Sequence, residues 1–77
     1  MTVKVRYFAS LRERLGRSED ELEVVEPLTA DAVWERANPD LPMPDNTLVA
    51  VNMDYVKLDA QVCDGDEIAF FPPVTGG

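Results

Sequence analysis

Hydrophobic and polar residues alternate with a period of two over the first eight positions. Val3, Val5 and Tyr7 fall on one side, whereas charged residues and Phe8 fall on the other. Alternation of β-branched and aromatic residues is typical of a strand with one buried face. The pattern therefore predicts a strand over residues 2–8, with Phe8 on the face opposite the core.

The next segment has the features of a short helix. Ser10 and Glu13 have the spacing of a capping box, in which each side chain satisfies a backbone N–H of the first turn. Leu11 and Leu15 share one helix face, and Gly16 can adopt the left-handed conformation that stops a helix. We predict one long turn of helix.

The main helix is predicted from Thr29, a suitable N-cap residue, to the residue before Pro39, which disfavours helical geometry at its predecessor. Apolar residues recur at helical spacing along one side, which predicts a buried stripe with a tryptophan as the large core residue. The stripe consists of Ala30, Val33, Trp34 and Ala37.

The remaining strands are short and separated by turn residues. The order of strand, helix, strand, helix and three strands predicts an α+β fold, a mixed sheet of about five strands with the main helix across one face. Its other face is then free for solvent or a partner. One of these strands is predicted at residues 21–25, before the main helix, and three at 47–51, 55–58 and 67–71, after a proline-rich loop at 38–46.

Length and charge restrict the functional classes. A chain of 77 residues and 8.6 kDa has room for one domain. Its net charge is −8, so phosphate backbones are repelled and nucleic-acid binding is disfavoured. Residues 1–17 contain five bases and one acid, and the other sixty contain two bases and fourteen acids. Such an acidic surface suits a basic protein partner, or serves solubility alone.

The sequence disfavours catalysis that depends on histidine, on a cysteine–histidine pair or on a bound metal. It has no histidine, so the commonest general base and metal ligand is missing, and Cys63 is the single cysteine. We expect Cys63 to be a buried or half-buried apolar residue. Asp64, Asp66 and Glu67 lie close together but lack the spacing of a calcium loop, so a turn is favoured. We therefore expect no bound metal or cofactor and no free-standing enzyme.

No basic-then-apolar leader and no apolar stretch of membrane-spanning length is seen, which predicts a cytoplasmic protein without membrane contact. The single cysteine fits a reducing compartment.

The end of the chain is the distinctive feature. We divide the chain into a domain at 1–71 and an extended tail at 72–77. Pro72 and Pro73 stiffen the start of the tail, and two glycines make its end flexible and thin enough to enter a narrow pocket of another protein. The carboxylate of Gly77 is then the reactive group presented. Ordinary fraying of small terminal residues is the alternative.

The last fourteen residues, DGDEIAFFPPVTGG (64–77), resemble the carboxyl-terminal signature of the small subunit of molybdopterin synthase, or molybdopterin-converting factor. Residues 3–13 (VKVRYFASLRE) and the pair Val51-Asn52 are also similar to that family. A final Gly-Gly is shared by all ubiquitin-like carriers, but the Phe-Phe-Pro-Pro run is not.

The resemblance implies a β-grasp (ubiquitin-like) fold and a sulfur carrier. An E1-like adenylating partner would use ATP to activate Gly77, and sulfur from a donor protein would convert it to a thiocarboxylate. The tail would then enter the large synthase subunit and give sulfur to cyclic pyranopterin monophosphate, forming the dithiolene of molybdopterin. The catalytic side chains are expected on the large subunit, in a heterotetramer. The inserted residues would be Pro72, Pro73, Val74, Thr75 and Gly76.

For docking we single out Phe71 and Phe8, which alternation places on the outer sheet face. They would form an exposed patch or, alternatively, complete a small second core. Three other functions stay open: a sulfur carrier for thiamine, cysteine or tRNA thiolation, a ubiquitin-like protein modifier, and an inert interaction module.

Overall fold

The computed structural model describes residues 1–73. Within them are seven strands and two helices, which follow the predicted order except for two additional strands of two residues each. They are β1 Thr2–Tyr7, α1 Ala9–Leu15, β2 Glu19–Glu23, β3 Leu28–Thr29, α2 Ala30–Ala37, β4 Leu48–Val51, β5 Asp54–Val56, β6 Gln61–Val62 and β7 Glu67–Phe71.

Five of the strands form one mixed sheet in the order β2-β1-β7-β4-β5. The first and last strands, β1 and β7, lie side by side and run parallel, and the other neighbours are antiparallel. The prediction of a mixed sheet of about five strands with one main and one short helix is confirmed.

The core lies between the inner face of this sheet and α2. Trp34, 1% exposed, places its ring edge-on to Tyr7 at 5.8 Å and to Phe70 at 5.1 Å between ring centroids. The predicted strand alternation holds, because Val3 and Val5 are fully buried beneath the helix. Burying these rings supplies much of the favourable free energy available to a domain this small.

A polar network closes one end of the core. The hydroxyl of Tyr7 donates to Asp20 at 2.9 Å and accepts from the side-chain amide of Asn38 at 3.1 Å. Arg17 donates to Asp20 at 2.7 Å and to the carbonyl of Ala37 at 3.0 Å. This links the α1–β2 connection to the carboxyl end of α2. Burial raises the pKa of Tyr7 to about 12.

A two-stranded sheet of β3 and β6 was not predicted. Leu28 pairs with Val62 and Thr29 with Gln61 in an antiparallel ladder. Each strand has two residues, too few to produce a visible alternation. The ladder fixes the start of α2, whose first N–H, that of Ala30, donates to the carbonyl of Ala60.

Several local predictions were wrong. The proposed capping box is not formed, because α1 begins at Ala9 after an extended Phe8 and its N-terminus has no side-chain cap. The second strand lies two residues earlier than predicted, although Val24 beyond its end is buried. Gly16 does end α1, with a φ of 74°.

Cys63 is exposed, which contradicts the predicted burial. It lies just after β6, at the start of the turn that leads into β7. Its backbone N–H donates to the Asp66 carboxylate at 2.8 Å, so the turn, and not the apolar character of the thiol, decides its position.

Candidate docking face beside the end of the last strand

β7 places two adjacent phenylalanines on opposite faces of the sheet. Phe70 is fully buried against α2, whereas Phe71 is half-buried and lies on the outer face. Strand side chains alternate, so the buried position of Phe70 requires the outward position of Phe71. The predicted orientation of Phe71 is therefore observed.

Phe8 lies directly beside Phe71, although it follows β1 in sequence. The parallel pairing of Tyr7 with Phe70 extends one residue further, and the Phe8 N–H donates to the Phe70 carbonyl at 3.2 Å. The two outer rings are stacked, with centroids 4.8 Å apart and planes inclined by 8°. The structure therefore brings together the two residues that the sequence singled out for docking.

Tyr55 is a third member of this cluster and was not predicted from the sequence. Its ring centroid lies 6.1 Å from that of Phe71, and 71% of the residue is exposed. Asn52 and Met53, both with positive φ, form a two-residue turn that sets Tyr55 opposite Ala50. Pairing the strands across that turn would have identified Tyr55.

We call Phe8, Tyr55 and Phe71 the aromatic face. Phe8 is 36% exposed and Phe71 is half-buried, so the aromatic face is partly open to solvent. Exposed aromatic clusters with a polar surround are typical of protein interaction sites. A role in binding a partner stays a prediction for Phe8 and Phe71, and Tyr55 joins them.

Charged residues occupy the other half of the outer sheet face. Arg6 forms an ion pair with Glu67 at 3.7 Å, and both side chains are about half exposed. On the other side of β1, Lys4 pairs in register with Glu21 and Arg6 with Glu19. Opposite charges on neighbouring strands stabilise the pairing weakly and surround the aromatic face with polar groups.

The acidic cluster before β7 organises a turn. The Asp66 carboxylate accepts hydrogen bonds from the Cys63 backbone and the Asn52 side chain, which hold its pKa below the ordinary value. Asp64 accepts from the backbone N–H of Thr2 at 2.8 Å. Within residues 1–73, no three acidic or cysteine side chains are arranged to hold a metal ion.

The tail begins at the aromatic face. β7 ends at Phe71, Pro72 is half-buried and Pro73 is exposed. Val74, Thr75, Gly76 and Gly77 lie outside the described residues, so their predicted insertion and the reactivity of Gly77 are not tested. The division into a domain and a tail at residue 72 also stays a prediction.

The sheet order, the parallel central pair and the helix across one face define a β-grasp, or ubiquitin-like, protein. The outer aromatic face beside the last strand is the candidate site of this protein. The model of the ThiS family matches residues 5–77, and the chain belongs to that family.

Three known proteins are similar to this chain over nearly their full length. The molybdopterin synthase sulfur carrier subunit of Escherichia coli is 40% identical, over 97% of this chain and 99% of its own length. A crystal structure of SAMP1 (small archaeal modifier protein 1) from Haloferax volcanii has a TM-score of 0.82 and 25% identity, covering all of both chains. A putative molybdopterin converting factor subunit 1 from Pyrococcus furiosus has a TM-score of 0.74 and 30% identity, covering 96% of this chain and 99% of its own.

The two helices are short. In the part of the chain that the structure describes, neither helix has the length and apolar character needed to cross a membrane.

Proposed function

We propose that this chain is the sulfur-carrier small subunit of a molybdopterin synthase. The observation that carries the proposal is the 40% sequence identity between this chain and the Escherichia coli molybdopterin synthase sulfur carrier subunit, which extends over nearly the whole of both chains. The aromatic face beside the start of the tail adds support, because it gives a partner a surface to bind while residues 72–77 enter its active site.

The reactive group is the carboxylate of Gly77. One of its oxygens attacks the α-phosphate of ATP on an E1-like adenylating partner, and pyrophosphate leaves. The product is a mixed anhydride, which supplies the leaving group that a carboxylate lacks. A sulfide-level sulfur from a donor protein then attacks the carbonyl carbon, AMP leaves, and a thiocarboxylate remains.

Glycine suits this chemistry for a steric reason. With no Cβ at the last two positions, the backbone can pass close to the catalytic groups of the partner, and the carbonyl is open to attack. The stiff pair Pro72-Pro73 would hold these glycines away from the sheet.

The second half of the reaction takes place on the large synthase subunit. Two thiocarboxylate-bearing chains are needed, because each gives one sulfur atom to cyclic pyranopterin monophosphate and the dithiolene of molybdopterin contains two. Each acyl group takes its oxygen from water, so the chain leaves with the Gly77 carboxylate restored. We propose that the large subunit supplies the catalytic side chains, in a heterotetramer of two small and two large subunits, and that this chain binds no cofactor itself.

Intact-mass measurement tests the carrier function. The chain is incubated with its adenylating enzyme, ATP and sodium sulfide, and then weighed. We expect the mass increase of one oxygen replaced by sulfur, located at Gly77 by fragmentation. Adding the large subunit and the pterin precursor should return the mass to its starting value as molybdopterin forms.

The controls alter the end of the chain. Deleting Gly77, or adding one alanine after it, should abolish sulfur loading and leave thermal unfolding unchanged, because neither change touches residues 1–73. Normal loading of either variant would contradict the proposal. Loading without molybdopterin formation would point to a sulfur carrier for thiamine, cysteine or tRNA thiolation.

A protein modifier is the second candidate, favoured by the likeness to SAMP1 over both whole chains. In that case the activated Gly77 would react with a lysine amine of another protein instead of with sulfide. The same incubation with added cell extract would then give high-mass lysine conjugates. An unchanged mass throughout would favour an inert interaction module.

A further inference from the structure

A groove that none of the residues of the aromatic face lines has no role so far. It has a volume of about 950 Å³ and lies between α2 and the proline-rich loop. Its apolar lining includes Trp34, Leu41, Met43 and Leu58. Leu58 is 40% exposed, so part of this apolar surface is open to solvent.

Hydrogen bonds and prolines hold the wall of the groove in place. The indole N–H of Trp34 donates to the Leu41 carbonyl at 2.8 Å, which fixes the loop against the core. The Thr47 hydroxyl donates to the Pro44 carbonyl at 2.6 Å and closes the end of the loop. A groove that is already formed requires little ordering when a ligand binds.

Carboxylates surround this apolar lining. Asp31, Glu35, Asp40 and Asp45 contribute to it, and none of the lining residues is a lysine or arginine. The ion pairs found within residues 1–73 lie elsewhere, at Arg6 and Arg17. The rim of the groove is therefore a concentration of negative charge around apolar surface.

The groove continues towards the aromatic face. A second depression of about 580 Å³ shares Asp31, Thr47 and Leu58 with it. It is also lined by Leu48 and Tyr55, and by one base, Lys57. Tyr55 belongs to the aromatic face, and Leu48 pairs in register with Phe71. A partner bound at the start of the tail could thus extend along one continuous surface into the groove.

We propose that this groove, which we call the acidic groove, binds a segment of a partner protein in which lysine or arginine side chains flank an apolar side chain. The apolar side chain contacts Leu58 and Leu41, and the basic ones face the rim carboxylates. The partner is a protein that also contacts the aromatic face. Only the identity of this partner, as the adenylating enzyme or the large subunit, rests on the proposed function.

The acidic groove gives two kinds of specificity that the aromatic face lacks. Its negative rim steers a basic surface during encounter and repels acidic ones. Neither Pro72 nor Pro73 lines it, so a partner can be recognised there before residues 72–77 are inserted.

The test uses a variant that removes three exposed rim charges while keeping side-chain size, Glu35→Gln/Asp40→Asn/Asp45→Asn. None of these side chains has a hydrogen bond or ion pair within residues 1–73, so folding should be unaffected. Dissociation constants are measured for the full chain with the adenylating enzyme and with the large subunit, at about 50 mM and about 500 mM salt.

A matched control removes the same charge elsewhere. Glu21→Gln/Glu23→Gln/Glu26→Gln changes the net charge equally but lies on and after β2, at the opposite edge of the sheet from β5. A Leu58→Ser variant tests the apolar part of the acidic groove independently of charge.

We expect the groove variant to bind at least one of the two partners roughly tenfold more weakly at low salt, with most of the difference lost at high salt. The control should bind like the wild type, and Leu58→Ser should weaken binding at both salt concentrations. Unchanged affinity of the groove variant for both partners, or an equal loss in the control, would overturn the proposal.

Two further measurements keep the outcomes distinct. Sedimentation of the chain alone tests a second copy as the occupant, and self-association that the groove variant abolishes would also overturn the proposal. Sulfur loading of the wild type reports on the proposed function separately, because partner binding can be measured whether or not Gly77 reacts.

Discussion

Phe71 and Phe70 are identical side chains at neighbouring positions, and their opposite locations allow binding and folding to be separated. Phe71→Ala removes the central ring of the aromatic face, which contacts both Phe8 and Tyr55. We expect this change to weaken partner binding more than it weakens the fold.

The two costs can be estimated from the structure. Truncating a fully buried phenylalanine costs about 3–5 kcal/mol of folding stability. Phe71 is half-buried and loses one stacked partner, so its cost should be about 1–2 kcal/mol. An aromatic residue at the centre of an interface contributes about 2 kcal/mol or more, which corresponds to roughly a 30-fold change in dissociation constant.

Phe70→Leu is the matched control. Phe70 is fully buried, with 0% of its surface exposed to solvent. The substitution therefore leaves the aromatic face unaltered. A change of shape in a packed core should cost about 1–1.5 kcal/mol, close to the cost expected for Phe71→Ala. The two variants should therefore be similar in stability and different in affinity.

Urea unfolding gives the stability of each variant, and calorimetry gives its affinity for the large subunit and for the adenylating enzyme. We expect weaker binding for Phe71→Ala and wild-type binding for Phe70→Leu. If Phe71→Ala lost stability but bound both partners normally, Phe71 would belong to a second core and the aromatic face would not be a docking site.

Three further predictions concern stability and the tail. Met53 has a φ of 73° in the β4–β5 turn, a backbone conformation that strains a residue with a side chain. Met53→Gly should therefore raise the free energy of unfolding in urea titrations by about 0.5–1 kcal/mol. A decrease would show that Met53 is not strained. Tyr7→Phe removes the hydroxyl bonded to Asp20 and Asn38 and should cost about 1–2 kcal/mol at neutral pH. The folded pKa of Tyr7 is raised to about 12, so the wild type loses this group's contribution as pH rises from about 10 to about 12, and the difference between the proteins should shrink at about pH 11. Replacing Gly77 by valine should slow sulfur loading by intact-mass measurement without a change in melting temperature, and equal loading would remove the steric argument.

Local patterns determined much of the fold. Alternation in β1 identified Val3 and Val5 as buried, and the helical stripe identified Trp34. Gly16 and Pro39 marked the ends of the two helices because their backbone preferences act over one or two residues. Alternation also placed Phe71 opposite Phe70, since neighbouring side chains of a strand must point to opposite faces.

Non-local pairing decided the rest. β3 and β6 have two residues each and form a ladder only because the chain brings them together. Tyr55 reaches Phe71 through the register of β5, β4 and β7, which no single segment encodes. Burial of Cys63 was predicted wrongly because a backbone hydrogen bond to Asp66 outweighs the preference of one small side chain.

The acidic groove also depends partly on features visible in the sequence and partly on contacts between distant segments. Its charges and prolines are visible in the sequence, but its apolar lining comes from α2, the loop and Leu58, which are distant along the chain. The sequence by itself determined which residues are buried within each segment and which motif ends the chain, because these depend on local periodicity and backbone preference. The tertiary structure decided which surfaces lie side by side, because strand register and loop packing depend on contacts between segments remote in sequence.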